Sequence, residues 1–124
     1  MFNDTIRPRR LRTSAGLRKL VRETRISPES LIWPIFVAEG ENIYEEIPSL
    51  PGQYHYSLDE LGRMVERAHE HGVSRVILFG LPKDKDEIGS GAWAEDGIVQ
   101  QGIRKIKALD PEMYVVTDVC MCEY

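Results

Sequence analysis

The chain has 124 residues, of which 42% are hydrophobic, and a formal net charge of -4, which suits one small domain with its own core. No apolar run approaches the ~20 residues that would span a bilayer, and the polar, arginine-rich start has no signal-peptide core, so a cytoplasmic protein with no membrane partner is expected. The charge is uneven: residues 1–30 carry +5 and the remainder -9, a basic arm ahead of an acidic body.

Residues 1–12 carry little apolar patterning and read as an extended arm. Thr13 to Thr24 reads as a short helix, with Leu17, Leu20 and Val21 on one face. Leu31 to Val37 is continuously apolar and β-rich, so it reads as a strand covered on both faces. Pro34 argues against a central place for it, because proline cannot donate to a ladder. Residues 38–56 read as a long polar loop.

Ser57-Leu-Asp-Glu60 has the form of a capping box. Leu58, Leu61, Val65 and Ala68 then mark the stripe of a helix over 58–71, which Gly72 ends. Val73 to Phe79 reads as a second strand and 83–97 as a charged, glycine-rich loop. Ile98 to Leu109 reads as a helix with Val99, Ile103 and Ile106 on one face, ended by Asp110-Pro111. Met113 to Val119 opens a third strand, expected to run to about residue 120.

The pattern is arm, helix, then β-α-β-α-β, which gives parallel strands. Two α/β architectures fit, a doubly wound sheet and the opening of a (β/α)₈ barrel. A full barrel needs roughly 200 residues or more.

Chemistry concentrates at the end of the third strand. Asp118, Cys120 and Cys122 share parity, so a continued strand would point all three to one face. Strand C-termini are where parallel α/β folds keep catalytic groups. Thiolates suit zinc, but alternate Cα atoms on a strand lie ~6.6 Å apart and two sulfurs on one zinc roughly 3.8 Å apart, so the chain must bend. Two ligands are also too few, and inert buried thiols are the competing reading. A disulfide between the pair would be strained. His55, His69 and His71 read as surface residues. Lys83 reads as a loop lysine kept charged by Asp84 and Asp86.

Thr117-Asp-Val-Cys-Met-Cys-Glu-Tyr124 is similar to the segment that opens the zinc-binding region of porphobilinogen synthases, the 5-aminolevulinate dehydratases. Arg7–Arg12, Leu20–Thr24, Leu31–Val37, Phe79–Pro82, Lys83-Asp84, Gly89-Ser90 and Asp96–Gln100 also resemble that family, in the same order. The resemblance implies an N-terminal arm with a short helix over 1–30 and the first β/α units of a (β/α)₈ TIM barrel over 31–124, a fragment of the whole fold. It implies condensation of two 5-aminolevulinate molecules, with loss of water, to porphobilinogen in tetrapyrrole (heme) biosynthesis. It implies a lyase that uses two Schiff-base lysines. Cys120 and Cys122 match two of three zinc-binding cysteines, and Asp118 matches an aspartate facing the active site. Zinc is the implied cofactor, with magnesium a second metal of some members. The arm implies a homo-oligomer, usually an octamer.

Neither Schiff-base lysine has a counterpart among Lys19, Lys83, Lys85, Lys105 and Lys107, and the third cysteine has none either. Residues 1–124 alone are therefore expected to be inactive. Two readings compete with the enzyme. One is a nucleic-acid-binding module built on the basic arm, against which stand the acidic body and the lack of stacking aromatics in the arm, so no nucleic-acid partner is expected. The other is an autonomous oligomeric metal-binding module.

Overall fold

The computed structural model describes residues 8–120. Past a 3₁₀ turn at Arg10–Arg12, helix α1 spans Ala15–Val21. Ser14 caps it, its hydroxyl accepting from Leu17 N at 3.1 Å. The apolar face expected of this helix is not covered by the body: Leu20 is 73% exposed. A second 3₁₀ turn, Pro28–Ser30, leads into the sheet, where Arg75 Nη1 donates to Glu29 O at 2.5 Å.

Five strands form one sheet: β1 (Trp33–Ala38), β2 (Tyr44–Glu46), β3 (Tyr54–Tyr56), β4 (Arg75–Leu81) and β5 (Tyr114–Thr117), in the order β2-β3-β1-β4-β5. β1 is parallel to β3 and β4, and β4 is parallel to β5; among the described residues only β2 and β3 run antiparallel. Three further helices are α2 (Leu61–Glu70), α3 (Ser90–Trp93) and α4 (Ile98–Leu109).

β1 is central, against the expectation drawn from Pro34. Residues alternate the side to which they hydrogen bond, and Glu39 N bonds to Leu81 O of β4. Pro34 therefore turns its missing donor toward β3. β3 pairs only with Phe36 and Val37, so no ladder bond is lost at Pro34. The strand also starts two residues later than expected, since Leu31 and Ile32 are exposed.

The expected loop over 38–56 holds the β2–β3 hairpin. Its strands are held by aromatic stacking: Tyr44 and Tyr54 lie with ring centroids 4.4 Å apart and nearly parallel. α2 seals this edge through Arg63 over Tyr44, and through Arg67 between Trp33 and Tyr54, at 5.0, 5.3 and 5.5 Å. Trp33 Nε1 donates to Gln53 Oε1 at 2.8 Å.

The capping box does not form. Ser57 is fully buried, and its hydroxyl accepts from Ile43 N at 2.9 Å, spent on the hairpin rather than on the helix. α2 starts at Leu61, and Glu60 pairs instead with Arg63 at 2.6 Å. Gly72 does end the helix. It has φ 68°, Val73 N bonds to Ala68 O, and Gly72 N bonds to His69 O, as in a Schellman motif.

Both long helices pack on one face of the sheet. Leu61, Met64, Val65 and Ala68 of α2, and Ile98, Val99 and Ile106 of α4, form one core with Ile35, Val37, Val76 and Leu78. The register of β1 and β4 puts those four strand residues on one face. Pro34, Phe36, Ile77, Phe79 and Val116 lie on the other face, where Phe36 stacks on Phe79 at 5.3 Å. A doubly wound sheet places helices on both faces; helices on one face only are the barrel arrangement. Among the described residues, no helix is long and apolar enough to cross a membrane.

Candidate functional site

Because β1, β4 and β5 are parallel, their C-termini lie along one edge of the sheet. Glu39 follows β1, Lys83 follows β4, and Asp118 follows β5. Glu39 Oε2 accepts from Lys83 N at 3.1 Å, joining the first two strand ends. The Lys83 side chain is exposed.

The regular ladder of β5 stops at Thr117, three residues short of the expected end. One further bond, Asp118 N to Leu78 O at 3.2 Å, extends the register by a step. Asp118 then falls opposite Phe79, on the face that no helix covers. Beyond it the chain leaves the strand, so alternation no longer decides where Val119 and Cys120 point.

Thr117, Asp118, Val119 and Cys120 line a cavity of about 240 Å³ with Ala92, Val99, Gln100 and Ile103. Asp118 and Cys120 both border this cavity, although the register of β5 turns Asp118 toward the face opposite α4. Cys122 lies outside the described residues. Among the described residues no three or more His, Cys, Asp or Glu side chains are grouped to hold a metal. Asp118 and Cys120 alone do not make a metal centre.

The side of the cavity opposite the end of β5 is formed by α4 and by Ala92, which belongs to the segment expected as a loop. Asp86 accepts from Ser90 N at 2.8 Å and also from the Ser90 hydroxyl, which starts α3. These two bonds hold the Asp86 carboxyl below its ordinary value, the Ser90 hydroxyl first. Gln100, in the first turn of α4, donates from Nε2 to Ala92 O at 2.7 Å. Sequence reasoning did not single out Gln100, although it closes the Asp96–Gln100 motif. Its position one turn into a helix after a glycine was the available signal.

Two of the three histidines fall where expected; His55, expected on a surface loop, lies half-buried in β3. His69 and His71 are exposed near the end of α2, and His55 sits edge-on to Phe36 at 6.2 Å. None lines the cavity.

Residues 5–124 match the family profile described as Delta-aminolevulinic acid dehydratase. A delta-aminolevulinic acid dehydratase of Ruminiclostridium josui is 62% identical over 118 residues, covering 95% of this chain and 58% of that protein. One from Halalkalibacterium halodurans is 47% identical, over 95% of this chain and 36% of that protein. Among solved structures, the delta-aminolevulinic acid dehydratase (porphobilinogen synthase) of Toxoplasma gondii, in complex with its reaction product porphobilinogen, superposes with a TM-score of 0.85. It is 32% identical, and the match covers 98% of this chain and 35% of that one.

Proposed function

Since the chain belongs to the delta-aminolevulinic acid dehydratase family, we propose that it supplies the arm and opening barrel units of a lyase that condenses two 5-aminolevulinate molecules, with loss of water, to porphobilinogen. The observation that carries this reading is Asp118. It stands at the C-terminal end of a parallel strand, on the sheet face left open by the helices, beside a cavity it shares with Cys120. A carboxylate there can accept a hydrogen bond from a substrate amine, or take a proton as carbon–nitrogen and carbon–carbon bonds form.

Zinc is part of the proposal. Cys120 and Cys122 would be two thiolate ligands, with at least one more ligand from outside the described residues. Bound there, zinc would act as a Lewis acid toward a substrate oxygen or amine. Magnesium is a second candidate metal of the whole enzyme. The Schiff-base amines would come from lysines other than the five of this chain. The basic arm, with Arg9, Arg10, Arg12, Arg18 and Arg22 around one open groove, suits the acidic body of a neighbouring copy, and a cytoplasmic homo-octamer is proposed on that basis.

The test is a colorimetric porphobilinogen assay on the whole protein that carries this chain. Asp118→Asn should lower turnover by about 100-fold or more. Cys120→Ala should lower both activity and bound zinc. Undiminished turnover by Asp118→Asn would overturn its assignment; full zinc content in Cys120→Ala would overturn the metal assignment alone.

A further inference from the structure

Three side chains from the start of α4 reach back to carbonyls of the segment that precedes it. Gln100 Nε2 bonds to Ala92 O at 2.7 Å, Arg104 Nη2 to Glu95 O at 2.6 Å, and Gln101 Nε2 to Asp96 O. At the other end Asp86 holds Ser90. Residues 92–96 are thereby fixed against α4 by polar contacts, while the Asp86–Ser90 bonds brace the start of the segment internally.

Of these clamps only Gln100 also lines the cavity with Asp118 and Cys120. Its amide has one possible orientation, because a carbonyl can be met only by the NH₂ group. That orientation leaves Gln100 Oε1 buried with no hydrogen-bond partner among the described residues. The oxygen faces Gly97, where an added Cβ would collide with it and with Gly91 O. A buried unpaired acceptor opposes folding, and an apolar side chain of the same length would avoid it. What the amide gains here is its hold on Ala92.

We propose that Gln100 is a positioning residue of the candidate site: its amide holds Ala92, which lines the cavity, in place beside the end of β5. The proposal rests on reading that cavity as part of the substrate site. Gln100 acts through Ala92 and does not touch substrate.

Two variants of the whole protein test it, Gln100→Ala and Gln100→Met, the second keeping length and apolar packing should the first fail to fold. Hydrogen exchange at the Ala94 and Gly97 amides should quicken about tenfold in both, the scale of one lost hydrogen bond, with the Val76 and Leu78 amides unchanged. In a Cys122→Ser background stripped of metal by a chelator, alkylation of Cys120 by iodoacetamide should also quicken. KM for 5-aminolevulinate should rise about tenfold while kcat and the melting temperature move little. Unchanged exchange at Ala94 and Gly97 in both variants overturns the clamp. Faster exchange with unchanged KM and alkylation overturns the positioning role and leaves a structural one. If the parent protein forms no porphobilinogen, the proposed function fails, while exchange and alkylation still decide the clamp.

Discussion

His69 Nε2 lies 2.9 Å from Asp110 Oδ2, so the last turn of α2 is tied to the residue that ends α4. This contact sits at the N-terminal edge of the strands, opposite the candidate site. The hydrogen bond from His69 is the main cause that holds the Asp110 carboxyl below its ordinary 3.8, with a smaller contribution from Glu112 N and partial burial opposing both.

The sign of the pH effect follows. A carboxyl with a lowered folded value is protonated first in the unfolded chain, so its stabilisation is complete well above pH 3.8 and fades as pH falls through the folded value. Asp110→Asn should therefore be less stable than the parent at neutral pH and converge with it in strong acid. His69→Ala should cost about 0.5 kcal/mol at neutral pH, since an exposed pair is well screened. Urea denaturation over about five pH units, from strong acid to neutrality, measures both. A constant difference at all pH values would refute the linkage.

Two glycines should respond in opposite directions to alanine. At Gly97 the new Cβ meets Gln100 Oε1 and Gly91 O, and the wall of the cavity must shift; a loss of about 1–3 kcal/mol is expected. At Gly62, inside α2, nothing lies within 4 Å of an added Cβ. Gly62→Ala should stabilise by about 0.5–1 kcal/mol through helix propensity alone. Thermal melting of the two variants side by side reads the contrast.

Leu78 joins the two long helices to the middle of the sheet and is fully buried. Leu78→Ala should cost about 2–5 kcal/mol, through lost burial and the cavity left behind. Leu31, just outside β1 and 45% exposed, should tolerate alanine within about 0.5 kcal/mol. Equal losses at the two positions in a denaturant titration would place the core wrongly.

A polypeptide of residues 1–124 alone should form no porphobilinogen, with or without zinc. Schiff-base chemistry needs an amine at the site, and none of its five lysines lines the cavity. It should also self-associate, because Phe36, Ile77, Phe79 and Val116 face away from both long helices. Measurable product in the colorimetric assay, or a monodisperse monomer in light scattering at micromolar concentration, would count against these two expectations respectively.

Much of the architecture was legible because it depends on local rules. The stripes Leu61/Val65/Ala68 and Val99/Ile103/Ile106 have helical period, and the apolar runs around Ile35, Val76 and Val115 are short and β-branched. Their alternation implies parallel strands whatever the rest of the chain does. That Asp118 and Cys120 both follow one strand end was also readable. The β2–β3 hairpin was not. Its strands are three residues each, too short for periodicity, and stacking among Tyr44, Tyr54, Arg63 and Arg67 holds them only once α2 is in place.

Ser57 shows the same limit from the other side. Its spacing to Glu60 fits a capping box, yet its hydroxyl bonds Ile43, because burial makes the hairpin N–H the group that most needs a partner. The sequence by itself determined the two long helices, the strands β1, β4 and β5, and the order in which they alternate. Tertiary structure alone decided that both helices cover one face, that Pro34 can sit in the central strand, and that Gln100 reaches Ala92. Those outcomes depend on contacts between residues distant in the chain or across a turn, and no local propensity encodes them.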